Sequence, residues 1–153
     1  MNYSRTRDAG FFGDQSSESH FTPEQEILLW SIRVDHAKDN QVVEILNNGV
    51  DWDYVRKTAV RQGLIPLLYM RLKEEMSNYV PPEELSQLRA LYKANAVQNI
   101  YKTQQLLKIL DILAHTGVDA IPYKGPALAV QAYKDLSMRS FYDLDILIYE
   151  RDF

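Results

Sequence analysis

Tyr123-Lys124-Gly125-Pro126-Ala127-Leu128, then Arg139, then Asp143-Leu144-Asp145-Ile146-Leu147-Ile148: this succession decides how the chain is read. The first six residues place a glycine and a proline where a short strand-like run, Asp119 to Tyr123, gives way to a helical pattern from Pro126 to Tyr133. The last six set two carboxylates into an apolar run that predicts a second strand from Asp143 to Tyr149. Successive side chains of a strand point to opposite faces. Asp143 and Asp145 are therefore expected on one face, about 6 to 7 Å apart along the chain, with Leu144 and Ile146 on the other. Burying two like charges side by side costs on the order of several kcal/mol unless a cation or basic groups compensate. A plain structural strand gives no reason for that cost, so the pair points to chemistry and to a divalent metal.

Toward the N-terminus the period becomes helical. Thr22-Pro23-Glu24-Gln25 supplies an N-cap, a first-turn proline and a capping-box partner ahead of Ile27, Leu28, Trp30, Ile32 and Val34. A second helix is expected from Gln41 to Asn47, stopping at Gly49. Asp51 caps a third, Trp52 to Gln62, with Trp52, Val55, Ala59 and Val60 at helical spacing and Gly63 at its end. Ile65 to Met76 predicts a fourth, with Leu68, Leu72 and Met76 on one stripe and Lys73, Glu74 and Glu75 on the wet side. After Pro81-Pro82 a long helix runs from Glu83 to His115 and closes at Gly117. A heptad reading of it fails because Asn95, Asn99 and Lys102 fall on the seam, which favours a helix packed across a bundle. Trp30, Trp52, Tyr69, Tyr92 and Tyr101 sit within these patterns and are expected in the core or at interfaces.

The chain has 153 residues, enough to bury a sizeable core, with 46% hydrophobic and 25% charged residues, an ordinary globular balance. No apolar run is long enough for a membrane span and no apolar signal segment follows Met1, so a cytoplasmic location is expected. A net charge of -4 gives no strong nucleic-acid signal, because phosphate-backbone binding draws on clustered Lys and Arg. Without cysteine, disulfides, zinc-thiolate sites and cysteine nucleophiles are excluded. His20, His36 and His115 show no metal-ligand spacing and are expected to be surface or structural residues.

The order Lys124-Gly125-Pro126-Ala127-Leu128, a short helix, Arg139 and Asp143-Leu144-Asp145-Ile146-Leu147-Ile148 resembles the uncharacterised nucleotidyltransferase family, a branch of the polymerase-β-like nucleotidyltransferase superfamily. Upstream, Val50-Asp51-Trp52, Pro66-Leu67-Leu68-Tyr69 and the long helix before Gly117 are similar to the helical region preceding the catalytic domain in that family, so the resemblance covers roughly residues 24 to 153. Residues 1–21 carry Gly, Ser and Asp with few aliphatics and are expected to be a flexible leader. Beyond it the resemblance implies a mostly helical α+β chain, with a helical lobe over 22–117 and the first βαβ-like, strand-helix-strand portion of a nucleotidyltransferase domain over 118–153. Asp143 and Asp145 take the metal-binding, catalytic role with Mg²⁺ or Mn²⁺. Lys124, Gly125 and Arg139 take the nucleotide phosphates, with NTP as one substrate and an acceptor the sequence does not name. Pro126 departs from the pattern, standing where many members place a serine, and supplies neither a hydroxyl nor an N–H.

The superfamily generally uses a third carboxylate from a later strand. Glu150 has the wrong strand parity and Asp152 lies at the chain end, so neither is a convincing substitute. The chain stops after a strand whose apolar face, Leu144, Ile146 and Ile148, needs covering, so a truncated or split domain is expected, with self-association or pairing to a missing C-terminal fragment. Two rivals stand beside a transferase that is inactive or incomplete as this chain. One is a non-catalytic helical interaction module with a remnant site. The other is a metal-dependent glycosyltransferase using the Asp-x-Asp pair, which fits less well because the hundred or so residues before the acids read as helical.

Overall fold

A computed structural model describes residues 21–35 and 38–152. The expected leader therefore lies outside the described residues except for Phe21, as do His20 and His36. α1 (Pro23–Ile32) starts as its capping box dictates: the Thr22 hydroxyl accepts from the Gln25 N–H, and Gln25 Oε1 accepts from the Thr22 N–H. α2 (Asp39–Asn48) begins two residues earlier than expected, with Asp39 accepting a 2.7 Å hydrogen bond from the Trp30 indole. α3 (Trp52–Gln62) is capped by Asp51, and Gly63 ends it in the left-handed conformation at φ 68°. α4 (Ile65–Glu75) and the 34-residue α5 (Pro82–His115) follow, α5 being about 50 Å long at 1.5 Å per residue.

Ile27, Trp30, Val42, Val55, Leu68, Leu72 and Leu88, drawn from all five helices, form the fully buried centre of this lobe. The α1 pattern holds only to Trp30. Ile32, five positions from Ile27, falls off the buried stripe and is exposed, and Val34 is exposed because the chain leaves the helix at Arg33, which is extended. Arg71 on α4 closes that helix end: its guanidinium lies 4.3 Å from the Trp30 ring centroid and donates to the carbonyls of Trp30, Arg33 and Asp35. Tyr69 and Tyr92 meet in a tilted ring pair with centroids 5.1 Å apart between α4 and α5 and Trp52 packs against the core, whereas Tyr101 is exposed and is no core residue.

Beyond α5 the chain forms β1 (Ala120–Tyr123), α6 (Gly125–Leu128), a wider π-helical turn (Ala129–Tyr133), a 3-10 turn (Leu136–Met138) and β2 (Asp145–Ile148). The single regular helix expected over Pro126 to Tyr133 is thus split; Ala129 stays buried while Val130 to Tyr133 face solvent. β1 and β2 pair antiparallel, Ile121 opposite Leu147 and Tyr123 opposite Asp145, where a βαβ crossover would give parallel strands. After α6 the chain returns along α5 before entering β2, which reverses the strand direction.

β2 begins at Asp145 rather than Asp143, for a local reason. Its partner β1 ends at Tyr123, and Lys124 then turns with φ 58°, so residues before Asp145 have no strand to pair with. The exposed apolar face is also the opposite of the one expected. Ile146 and Ile148 are half-buried, as is Leu144, while Ile121, Tyr123, Leu147 and Tyr149 are exposed and share their face with Asp145.

Candidate functional site

Of the residues singled out in the sequence, Lys124, Gly125, Asp143 and Asp145 lie at one end of the two-stranded sheet. Tyr123 is the cross-strand partner of Asp145, which puts the Lys124-Gly125 turn next to the start of β2. Gly125 is buried with φ 44°, and a Cβ placed on it would lie 3.4 Å from the Asp143 carbonyl oxygen. Its missing side chain therefore first serves to let the backbone of Asp143 approach, and the positive φ is a conformation that glycine adopts without strain. Lys124 lacks that freedom. At φ 58° and ψ -144° it sits beside a region that is nearly glycine-only, at a cost of about 1–3 kcal/mol. Its side chain is exposed, with Nζ 5.2 Å from the Tyr123 ring centroid.

The acid pair is less buried than the sequence implied. Asp143 is exposed and Asp145 half-buried, so the desolvation cost argued from two charges in an apolar strand does not arise at full size. Asp143 also precedes the paired strand, so no ladder fixes its side chain to the face of Asp145. Among the described residues no group of three or more His, Cys, Asp or Glu side chains is placed to hold a metal ion. Asp152, in the 3-10 turn Glu150–Asp152, does not join the pair. His115 is exposed at the end of α5, where Nδ1 meets the Asp111 carbonyl at 2.7 Å, a surface role as expected.

Arg139 forms no ion pair with either acid among the described residues, and its Nη1 is buried without a hydrogen-bond partner. A buried donor left unpaired costs about 1–3 kcal/mol, which a structural salt bridge would have avoided. Its backbone, by contrast, is firmly tied, since the Arg139 carbonyl accepts from Asn99 Nδ2 at 2.8 Å. α6 is only four residues long and Pro126 has no N–H, so the helix start itself offers little to an anion.

The segment between the π-helical turn and β2 is held to α5 by a row of polar side chains. Tyr92 OH donates to Ser137 Oγ at 2.6 Å, since Ser137 itself donates to Asp135 Oδ1. Asn95 donates to the Ser137 carbonyl, Asn99 to those of Leu136 and Arg139, and Lys102 to those of Phe141 and Tyr142. Asn95, Asn99 and Lys102 are the residues that break the heptad. The sequence signal was present, but it marked only that an apolar partner was missing, not which segment the donors would meet.

The acids follow a Lys-Gly strand-to-helix turn and a helical lobe in the chain. The family model described as uncharacterised nucleotidyltransferase matches residues 48–153, and the chain belongs to that family. The match begins at the end of α2, so α1 and most of α2 lie outside it, a narrower extent than the resemblance from residue 24 suggested. No curated protein and no solved structure matches the chain. No helix among the described residues is long and apolar enough to cross a membrane.

Proposed function

We propose that the chain is an Mg²⁺-dependent nucleotidyltransferase, served also by Mn²⁺, which transfers a nucleoside monophosphate from an NTP to an acceptor with release of pyrophosphate. The observation that supports it most is the close approach of the Gly125 turn to Asp143 at the end of the sheet, within a chain of this family. Asp143 and Asp145 are the residues that would hold the metal. Their oxygen donors suit it, because Mg²⁺ commonly takes one or two carboxylates and completes its shell with water and substrate phosphates. When bound, the ion neutralises charge on phosphate oxygens and favours the attacking hydroxyl. Lys124, extended into solvent from a strained backbone, and Arg139, with a donor lacking a protein partner, are the groups for the triphosphate. Gly125 shapes the turn that brings Lys124 and the acids together.

A binding-only role, the interaction module with a remnant site, is favoured by one observation: the described residues form no three-carboxylate cluster. Two carboxylates suffice for a metal–nucleotide, whereas transfer without the third is expected to slow roughly a thousand-fold or more. The glycosyltransferase rival loses support with the family match and with the helical lobe, α1 to α5, that precedes the strand pair. Incubating the chain with labelled NTPs, Mg²⁺ and a cell extract separates the readings. Label transfer that disappears in Asp143→Asn supports catalysis; retained NTP binding without label supports a remnant site; absence of any NTP binding defeats the transferase reading and leaves the interaction module.

A further inference from the structure

We infer that Asn99 and Lys102 of α5 are positioning residues for the acid pair, holding the backbone of residues 136–142 where Asp143 meets Gly125 and thereby setting metal affinity. This rests on the metal reading of Asp143 and Asp145. The need for such a clamp follows from the strand boundary. Residues 139 to 144 lie outside β2, and among the described residues no backbone–backbone hydrogen bond outside the regular elements involves them. Nothing in the sheet ladder therefore fixes where Asp143 sits, and the constraint has to come from side chains.

Two side chains one helical turn apart supply it. Asn99 is 1% exposed and uses both amide hydrogens, to the Leu136 carbonyl at 2.6 Å and the Arg139 carbonyl at 2.8 Å. Lys102 Nζ donates to the carbonyls of Phe141 at 3.1 Å and Tyr142 at 2.7 Å, and lies 5.0 Å from the Tyr142 ring centroid. Its last contact is thus on the residue immediately before Asp143. The Ser140 side chain, 3.4 Å from a Cβ placed on Gly63, meets the lobe at the end of α3, and the Phe141 side chain is buried. An apolar residue at 99 or 102 would leave these carbonyls without their donors, which accounts for polar residues on a seam that otherwise wants leucine.

The sign of one effect separates positioning from mere proximity of charge. Lys102 is a cation one residue from Asp143, so if charge alone mattered, removing it would tighten the binding of a divalent cation. If Lys102 positions Asp143, removing it weakens that binding. The test uses the full chain, Mn²⁺ alone as the probe in calorimetry, thermal unfolding as the stability control, and hydrogen exchange over residues 136–144. Lys102→Met is expected to weaken Mn²⁺ binding about tenfold or more, with faster exchange in that segment and little change in the unfolding of the lobe. Lys102→Arg, which keeps the donors, is expected to recover most of the affinity, and Asn99→Asp, which loses both donors at equal size, to behave like Lys102→Met. Unchanged or tighter Mn²⁺ binding by Lys102→Met overturns the inference even if Asn99→Asp fails to fold. If the parent chain binds no Mn²⁺, the metal reading itself is what falls, and this inference falls with it.

Discussion

In the helical lobe Leu68, Leu72 and Leu88 are fully buried, and contact between apolar side chains sets where each helix lies. Between α5 and residues 136–142 the ties run instead through Asn95, Asn99 and Lys102 to backbone carbonyls, and the acids they lead to are exposed or half-buried. Apolar burial is non-directional and accumulates stability, whereas a hydrogen bond contributes only about 1 kcal/mol net but fixes an atom to within tenths of an ångström. The same long helix does both jobs: its first half, through Leu85 and Leu88, completes the core, and its middle holds the segment that carries Asp143. Stability and placement of the site are thereby divided between two regions, and substitutions should separate them.

The largest effect is expected from Leu72→Ala, which removes a fully buried side chain and should lower lobe stability by about 2–5 kcal/mol in denaturant titration. A loss below about 1 kcal/mol would mean that the apolar centre is not what holds the lobe. Gly125→Val should reverse the balance. Its positive φ makes the substitution cost about 1–2 kcal/mol, yet nucleotide affinity should fall at least about tenfold because the turn and Asp143 can no longer close on each other. Parallel, modest losses of both would make the glycine purely structural.

Lys124→Gly sharpens the comparison further, since relief of a strained backbone should raise thermal stability by about 1 kcal/mol while nucleotide binding weakens. A variant that is both more stable and unimpaired in binding would remove Lys124 from the site. The smallest effect is on pH. The backbone N–H of Glu24 itself, then that of Asp51, hold the Glu24 carboxyl below its ordinary value of 4.5. A depressed carboxylate contributes stability that is present above that ordinary value and is lost as pH falls through the folded-state value, so Glu24→Gln should flatten the acid limb of the lobe's stability curve slightly. An unaltered curve would show that the helix start does not sense Glu24.

The lobe was legible because caps and periods are local. Thr22, Asp51 and Gly63 bounded their helices as read, and Leu68, Leu72 and Met76 were buried as a stripe. The neighbourhood of the Lys124-Gly125 turn and Asp145 was legible in the sequence, but its arrangement was not. The alternation rule assigned Asp143 to the strand face of Asp145, yet the strand could begin only where β1 still offered a partner, at Asp145, a limit that depends on a turn twenty residues away. The exposed face was misassigned for a related reason: period 2 tells which residues share a face, not which face meets α5. Asn99 and Lys102 showed themselves only as interruptions of an apolar pattern, because their partners are carbonyl oxygens, which every residue carries and no sequence distinguishes.

Metal binding by the two acids tests the account most directly. In calorimetric titration with Mn²⁺, with Mg²⁺ as a second probe, the parent chain should bind, and Asp143→Asn combined with Asp145→Asn should weaken that binding at least about tenfold while lobe unfolding stays where it was. Equal affinity in the parent and the double variant would contradict the claim that the turn, the clamp and the strand boundary converge to build a metal site at Asp143 and Asp145.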